Sequence, residues 1–188
     1  TASAIWAVSQ QQTQYQATLS IQVNDPLART RSLNPTARIS GMDVFVDPIE
    51  SEMQVLKSGT ISLDVVNALG LRLVPAAPDL VHSDLFQTAW VDADTPQEAF
   101  ELIYDDASQA VYFRRPGGPA LASGQVGEPL DAGFVRFTPR PAPKEDRVYG
   151  VQIQSVEAAV GGVRGRISAV PRDYTNLIDV TFISNDPV

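Results

Sequence analysis

The residues able to do chemistry are few and far apart along these 188 amino acids. His82 is the sole histidine and cysteine is absent, which removes two-histidine metal sites, thiol nucleophiles, disulfide frameworks and thiolate metal sites together. A single imidazole in a segment carrying Pro78, Asp79 and Asp84 reads as a solvated loop histidine rather than a general base. Asp92-Ala93-Asp94 places two carboxylates close enough for calcium, yet the third carboxylate, glycine and terminal glutamate of an EF-hand loop do not follow. Between Arg72 and Arg114 there is no Lys or Arg, while Asp79, Asp84, Asp92, Asp94, Glu98, Glu101, Asp105 and Asp106 all fall there. That run reads as a solvated acidic face. A glycosidase-like carboxylate pair is a matter of tertiary geometry, which spacing does not decide. No Gly-Lys-Ser/Thr phosphate loop occurs. The expectation is a non-catalytic chain with no catalytic residue, no metal site and no cofactor.

Basic charge gathers in the second half at Arg114, Arg115, Arg136, Arg140, Lys144 and Arg147. With Tyr112 beside them, Arg114 and Arg115 are candidate contacts to an acidic glycan or to a neighbouring subunit's acidic face, a plain polar rim being the simpler alternative. Trp90, Tyr104 and Tyr112 are the aromatics that a carbohydrate-binding β module would expose on one sheet face. The balance of 14 basic against 22 acidic side chains gives a net charge of −8, which repels a phosphate backbone and excludes nucleic acid as a partner.

These residues need a scaffold, and 44% hydrophobic with 19% charged residues is an ordinary globular balance. Tyr15 to Val23 alternates apolar and polar side chains, the period of a half-buried strand, and Asn24-Asp25-Pro26 ends it. Residues 27 to 46 read as a long loop. Asp47 then caps a helix with Pro48 at its first position, Glu50 and Glu52 in its first turns, and Ile49, Met53 and Leu56 at helical spacing. After Ser58-Gly59 a second helix is predicted over residues 60–69, with Ile61, Val65 and Leu69 on one face, Leu63 and Val66 beside it, and Gly70 as its stop.

From about Leu80 the pattern changes to short strands between turns: 100–104 and 110–113 as a hairpin, then 121–126 and 134–137. Val148 to Ile153 alternates again. A helix is predicted from Ser155 to about Arg166, weakened by Gly161, Gly162 and Gly165 at about 1 kcal/mol each relative to alanine. Leu177 to Ile183 closes the chain as a strand. Strands and helices in this irregular order predict an α+β fold with a mixed, largely antiparallel sheet packed by a few helices and an inserted small β subdomain. No stretch of about 18 apolar residues occurs. The apolar run Ala2 to Val8, with Trp6 before Ser9-Gln10-Gln11-Gln12, reads either as the last turns of a membrane helix or as a short first strand.

Four segments in order carry a resemblance. Ile49-Glu50-Ser51-Glu52 through Leu56 and Ser58, followed by Val65-Val66-Asn67-Ala68-Leu69-Gly70-Leu71, resembles the two helices that follow the first extracytoplasmic strand of the Wzz/Wzc-type polysaccharide chain-length determinants, the polysaccharide co-polymerases. Tyr15-Gln16-Ala17-Thr18-Leu19 is similar to that first strand. Ser123 to Pro129 is similar to a turn in the inserted strands of the tyrosine-kinase-linked branch, and Ile178 to Pro187 to the closing strand and its Asp-Pro.

The resemblance implies a non-catalytic base domain on the periplasmic side of the bacterial inner membrane, anchored through flanking segments. It implies ring-like homo-oligomers acting with a polysaccharide polymerase or export proteins, and a cytoplasmic tyrosine kinase fused or paired in one branch. Ile49, Glu50, Glu52, Leu56 and Ser58 are then the family motif and a candidate assembly surface. The expected organisation is 1–8 as the possible end of a membrane helix, 15–79 as the first half of the base, 80–145 as the inserted β-rich segment, and 146–188 as the strand-helix-strand that completes the base. The long 24–46 loop and the three glycines of the last helix depart from the pattern. A carbohydrate-binding β module of an exopolysaccharide system is the alternative function, and a hydrolase ranks third.

Overall fold

The structure, a computed structural model, describes residues 13–24, 48–105, 107–144 and 147–187. The apolar run 2–8, the Asp47 cap and nearly all of the predicted long loop lie outside them.

Three antiparallel sheets and a few short helices form an α+β fold, as the sequence pattern predicts, and every pairing among the described strands is antiparallel. Strand β1 (Tyr15–Gln22) pairs along its length with the final strand β11 (Leu177–Ser184), which also pairs with β10 (Ile167–Pro171). Helices α1 (Pro48–Leu56), α2 (Gly59–Leu69) and α4 (Val156–Arg164) accompany this sheet. Ile49, Met53 and Leu56 of α1 pack on Val23, Ala169 and Ile178. Elsewhere on the same sheet, Ile167 and Phe182 pack with Val66 of α2 and with Ala159 and Val163 of α4. These elements form the helix-and-sheet unit.

The second unit is all β apart from one turn of helix. A five-stranded sheet runs β2 (Leu73–Pro75), β9 (Val148–Ile153), β4 (Glu98–Asp105), β5 (Ala110–Arg114), β6 (Ala120–Gln125). It faces a three-stranded sheet of β3 (Phe86–Val91), β8 (Val135–Pro139) and β7 (Leu130–Asp131), and α3 (His82–Leu85) leads into β3. Both sheets turn their apolar sides to one core built on Phe86, Phe100, Phe113 and Phe137. The predicted hairpin of residues 100–104 and 110–113 is the β4–β5 pair, with Leu102 opposite Phe113. Strand β9, which the sequence pattern groups with the closing strand-helix-strand, lies in this sheet between β2 and β4.

Two expectations shift in detail. Strand β1 forms where alternation predicts it, but its apolar side is not half-buried: Leu19 is 53% and Tyr15 44% exposed, and burial reaches only the Ile21–Val23 end, where α1 packs. Of the predicted α2 face and its flank, Val66 is fully buried against Ala159 and Val163 of α4, Ile61 and Val65 are half-buried, and Leu69 stays 39% exposed, while the small Ser62 is buried as well.

Candidate functional site

The motif residues divide by role. Ile49 and Leu56 are half-buried under the sheet, whereas Glu50 and Glu52 are exposed on the two flanks of α1. Ser58 is the N-cap of α2: its Oγ accepts from the Ile61 amide at 3.5 Å, and its carbonyl accepts from the Ser62 hydroxyl at 3.3 Å. The motif therefore combines a packing stripe, a cap and two exposed carboxylates. Tyr15 stands opposite Ser184 in the β1–β11 ladder, so two further motif segments lie side by side, with α1 against the same sheet.

Gly70 ends α2 in the left-handed conformation, φ +63°, and its amide donates to the Val66 carbonyl. A Cβ there would lie 2.2 Å from the Ala89 carbonyl oxygen of β3, so only glycine lets α2 meet the β unit this closely. Two residues on, Arg72 is buried, 3% exposed, and spends its guanidinium on backbone carbonyls alone. It donates to Gln154 at 3.1 Å, Asp92 at 2.7 Å, Ala93 at 3.1 Å and Thr95 at 2.5 Å. This cation ties the end of α2 to the β3–β4 connection and to the exit of β9. Spacing singled it out only as the last cation before the acidic run.

Between the units lies a groove of about 740 Å³. Val65 and Leu69 of α2, Ala158 and Val163 of α4, and Val180 and Phe182 of β11 give it a largely apolar wall. His82 sits on its edge. The expectation of a solvated loop histidine is corrected here: the residue opens α3, its ring lies 5.1 Å from that of Phe86, and its Nε2 is buried without a hydrogen-bond partner. Burial pushes the imidazole below its usual range, partly offset by the Asp186 carboxylate and by a hydrogen bond with the Gly70 backbone. The neighbouring Ser83 amide donates to Asp186 Oδ2 at 3.0 Å, which fastens the Asp-Pro after β11 to α3. The sequence pattern marked Asp186 only as part of the closing Asp-Pro and did not mark Ser83, because the contact spans 103 residues.

Arg114 and Arg115 lie at the end of β5 and are paired across the hairpin. Arg114 faces Glu101 in register and donates to it at 2.9 Å, while Arg115 holds Glu98 through two hydrogen bonds. The Arg115 guanidinium keeps the Glu98 carboxyl below its usual range. Tyr112 points outward from the same strand and is 37% exposed. Much of the acidic run also has structural partners: Asp92 caps the Asp94 amide at 3.0 Å, Asp105 caps Ala107 at 3.1 Å and Ser108 at 2.6 Å, and Asp79 pairs with Lys144. Among the described residues, no three His, Asp or Glu side chains cluster as a metal would need.

The three candidate glycan-stacking aromatics do not form one platform. Tyr104 is buried, its hydroxyl donates to the Arg140 carbonyl at 3.0 Å, and desolvation pushes it up to about 12. Trp90 lies on the other sheet, with the Arg136 guanidinium 4.8 Å over its ring. No protein-family model matches the chain, and no curated protein matches its sequence.

Proposed function

We propose that the chain is the periplasmic base domain of a polysaccharide chain-length determinant. On this reading it is a non-catalytic, membrane-anchored scaffold that regulates the chain length and export of an exopolysaccharide, capsule or O-antigen by assembling as a homo-oligomer with the polymerase or export machinery. The observation that carries it is the β1–β11 pairing. The motif-bearing first and last strands run antiparallel with Tyr15 opposite Ser184, so the chain enters and leaves the sheet at the same end. That arrangement suits a domain tethered on both sides to one membrane. The motif's exposed Glu50 and Glu52 put acidic charge on the flanks of α1, and their alteration leaves the core beneath α1 intact.

The test removes the gene and restores it with the intact sequence or with Glu50→Lys and Glu52→Lys together, and the exported polysaccharide is sized on a gel. The reading expects loss or shortening of long chains on deletion, repair by the intact protein, and a shifted distribution with the charge-reversed one. An unchanged size distribution after deletion, with normal export, overturns it.

A further inference from the structure

The junction between the end of β11 and the β unit contains one group that titrates near neutrality, and it is placed where its charged form has nowhere to put a proton. His82 Nε2 is buried against the groove with no partner, and the carboxylate whose charge bears on the ring, Asp186, already accepts the Ser83 amide through Oδ2 at 3.0 Å. We propose that His82 and Asp186 form an acid-released latch: a proton on Nε2 is accommodated only when the first turn of α3 leaves the groove wall, which breaks the Ser83–Asp186 bond and frees the segment after β11. This goes beyond the chain-length reading and does not depend on it.

The surroundings argue for release rather than tightening. The α2 and α4 walls of the groove, with Val65, Leu69, Ala158 and Val163, bring no charge to the ring. Asp84 on the same turn accepts the Val81 amide at 2.8 Å. Asp79 is held by Lys144, and Arg166 on the far lining brings further positive charge. Asp186 is the one carboxylate that favours the imidazolium, and desolvation outweighs it.

The sign follows from linkage. A released ring titrates at the ordinary imidazole value of about 6.5, and the latched ring below it. The open state therefore binds the proton more tightly. Latching is strongest above the ordinary value and weakens as the pH falls from there toward the latched value. With a single histidine and no cysteine in the chain, His82 is the one side chain whose ordinary titration lies between pH 5 and 7.

The test is an NMR titration of the imidazole carbon-bound protons in the whole chain, together with amide exchange at Ser83 corrected for the intrinsic pH dependence of exchange. The expected result is a midpoint below about 6.5 and an opening population at Ser83 that rises on the order of tenfold from pH 7 to pH 5, with Val111 and Phe113 unchanged. His82→Phe keeps the ring against Phe86 but takes no proton, so its Ser83 opening should be flat over the same range. A midpoint at the ordinary value with no change at Ser83 overturns the latch, as does a phenylalanine variant that keeps the acid response. If that variant does not fold, the wild-type titration and exchange decide the matter.

Discussion

The two units of this molecule solve the burial problem differently. In the β unit, Phe86, Phe100, Phe113 and Phe137 are all at most 2% exposed, and their rings touch in series: Phe100 on Phe113 at 4.7 Å, Phe113 on Phe137 at 5.2 Å, Phe137 on Phe86 at 5.5 Å. The helix-and-sheet unit has two small clusters of Val, Ala and Ile, one under α1 and one between α2 and α4, while much of β1 remains exposed. One closed core stabilises itself; two thin clusters depend on what borders them. Gly70 and Arg72 are where that dependence is met, because they join α2 to β3 and to the loops of the β unit.

A cut into the self-sufficient core sharpens the comparison. Phe113→Ala should cost about 4 kcal/mol through lost burial and the cavity left among the aromatic rings. Exchange should accelerate at Leu102 and Val151 before it does at Ala169 and Ile178, since the latter belong to a different cluster.

The contrast can be broken at the junction. Arg72→Met keeps the apolar stem but strips the donors from four backbone carbonyls, and should cost about 3 kcal/mol of stability in urea unfolding. Amide protection should fall first in α2 and β11, and a loss below about 1 kcal/mol would show that the units are joined by other means.

The smallest effect has the opposite sign. Gly161 is exposed within α4, and a Cβ there would meet nothing within 4 Å. Gly161→Ala should therefore stabilise the helix-and-sheet unit by about 0.5–1 kcal/mol, read as a raised unfolding midpoint. An unchanged or lowered midpoint would mean that α4 does not limit the stability of that unit.

Elements whose signals are local were legible from residue types alone. The β4–β5 hairpin, the two helices separated at Ser58-Gly59 and the closing strand all emerge where periodicity and turn residues predict them. The helix from Ser155 forms despite its glycines, because Ser155 caps the Ala158 amide at 3.1 Å and Ala159 and Val163 are buried against α2. Partnership was less legible. Arg114 and Arg115 look like free cations in a list of residues and are paired with Glu101 and Glu98 once the hairpin closes. Tyr104 and His82 look exposed from their polar neighbours and are withdrawn by packing. The packing stripe of Ile49, Met53 and Leu56 was anticipated from helical spacing, but not that Ser58 would cap the next helix or that the first and last strands would be neighbours.

By itself, the sequence determined the longer helices and several strands, the α+β class, the antiparallel character and the absence of thiol or two-histidine chemistry, because each rests on composition or on interactions between residues a few positions apart, whereas β2, α3, β3, β7 and β10 carried no pattern that was read. Only the tertiary structure decided that Arg72 would be a buried cation held by carbonyls, that Gly70 would press against β3, and that His82 and Asp186 would meet across a groove. Those outcomes depend on contacts between segments from 19 to 104 residues apart. Which of many distant partners a side chain meets is set by how whole sheets and helices pack, and no local pattern encodes that choice.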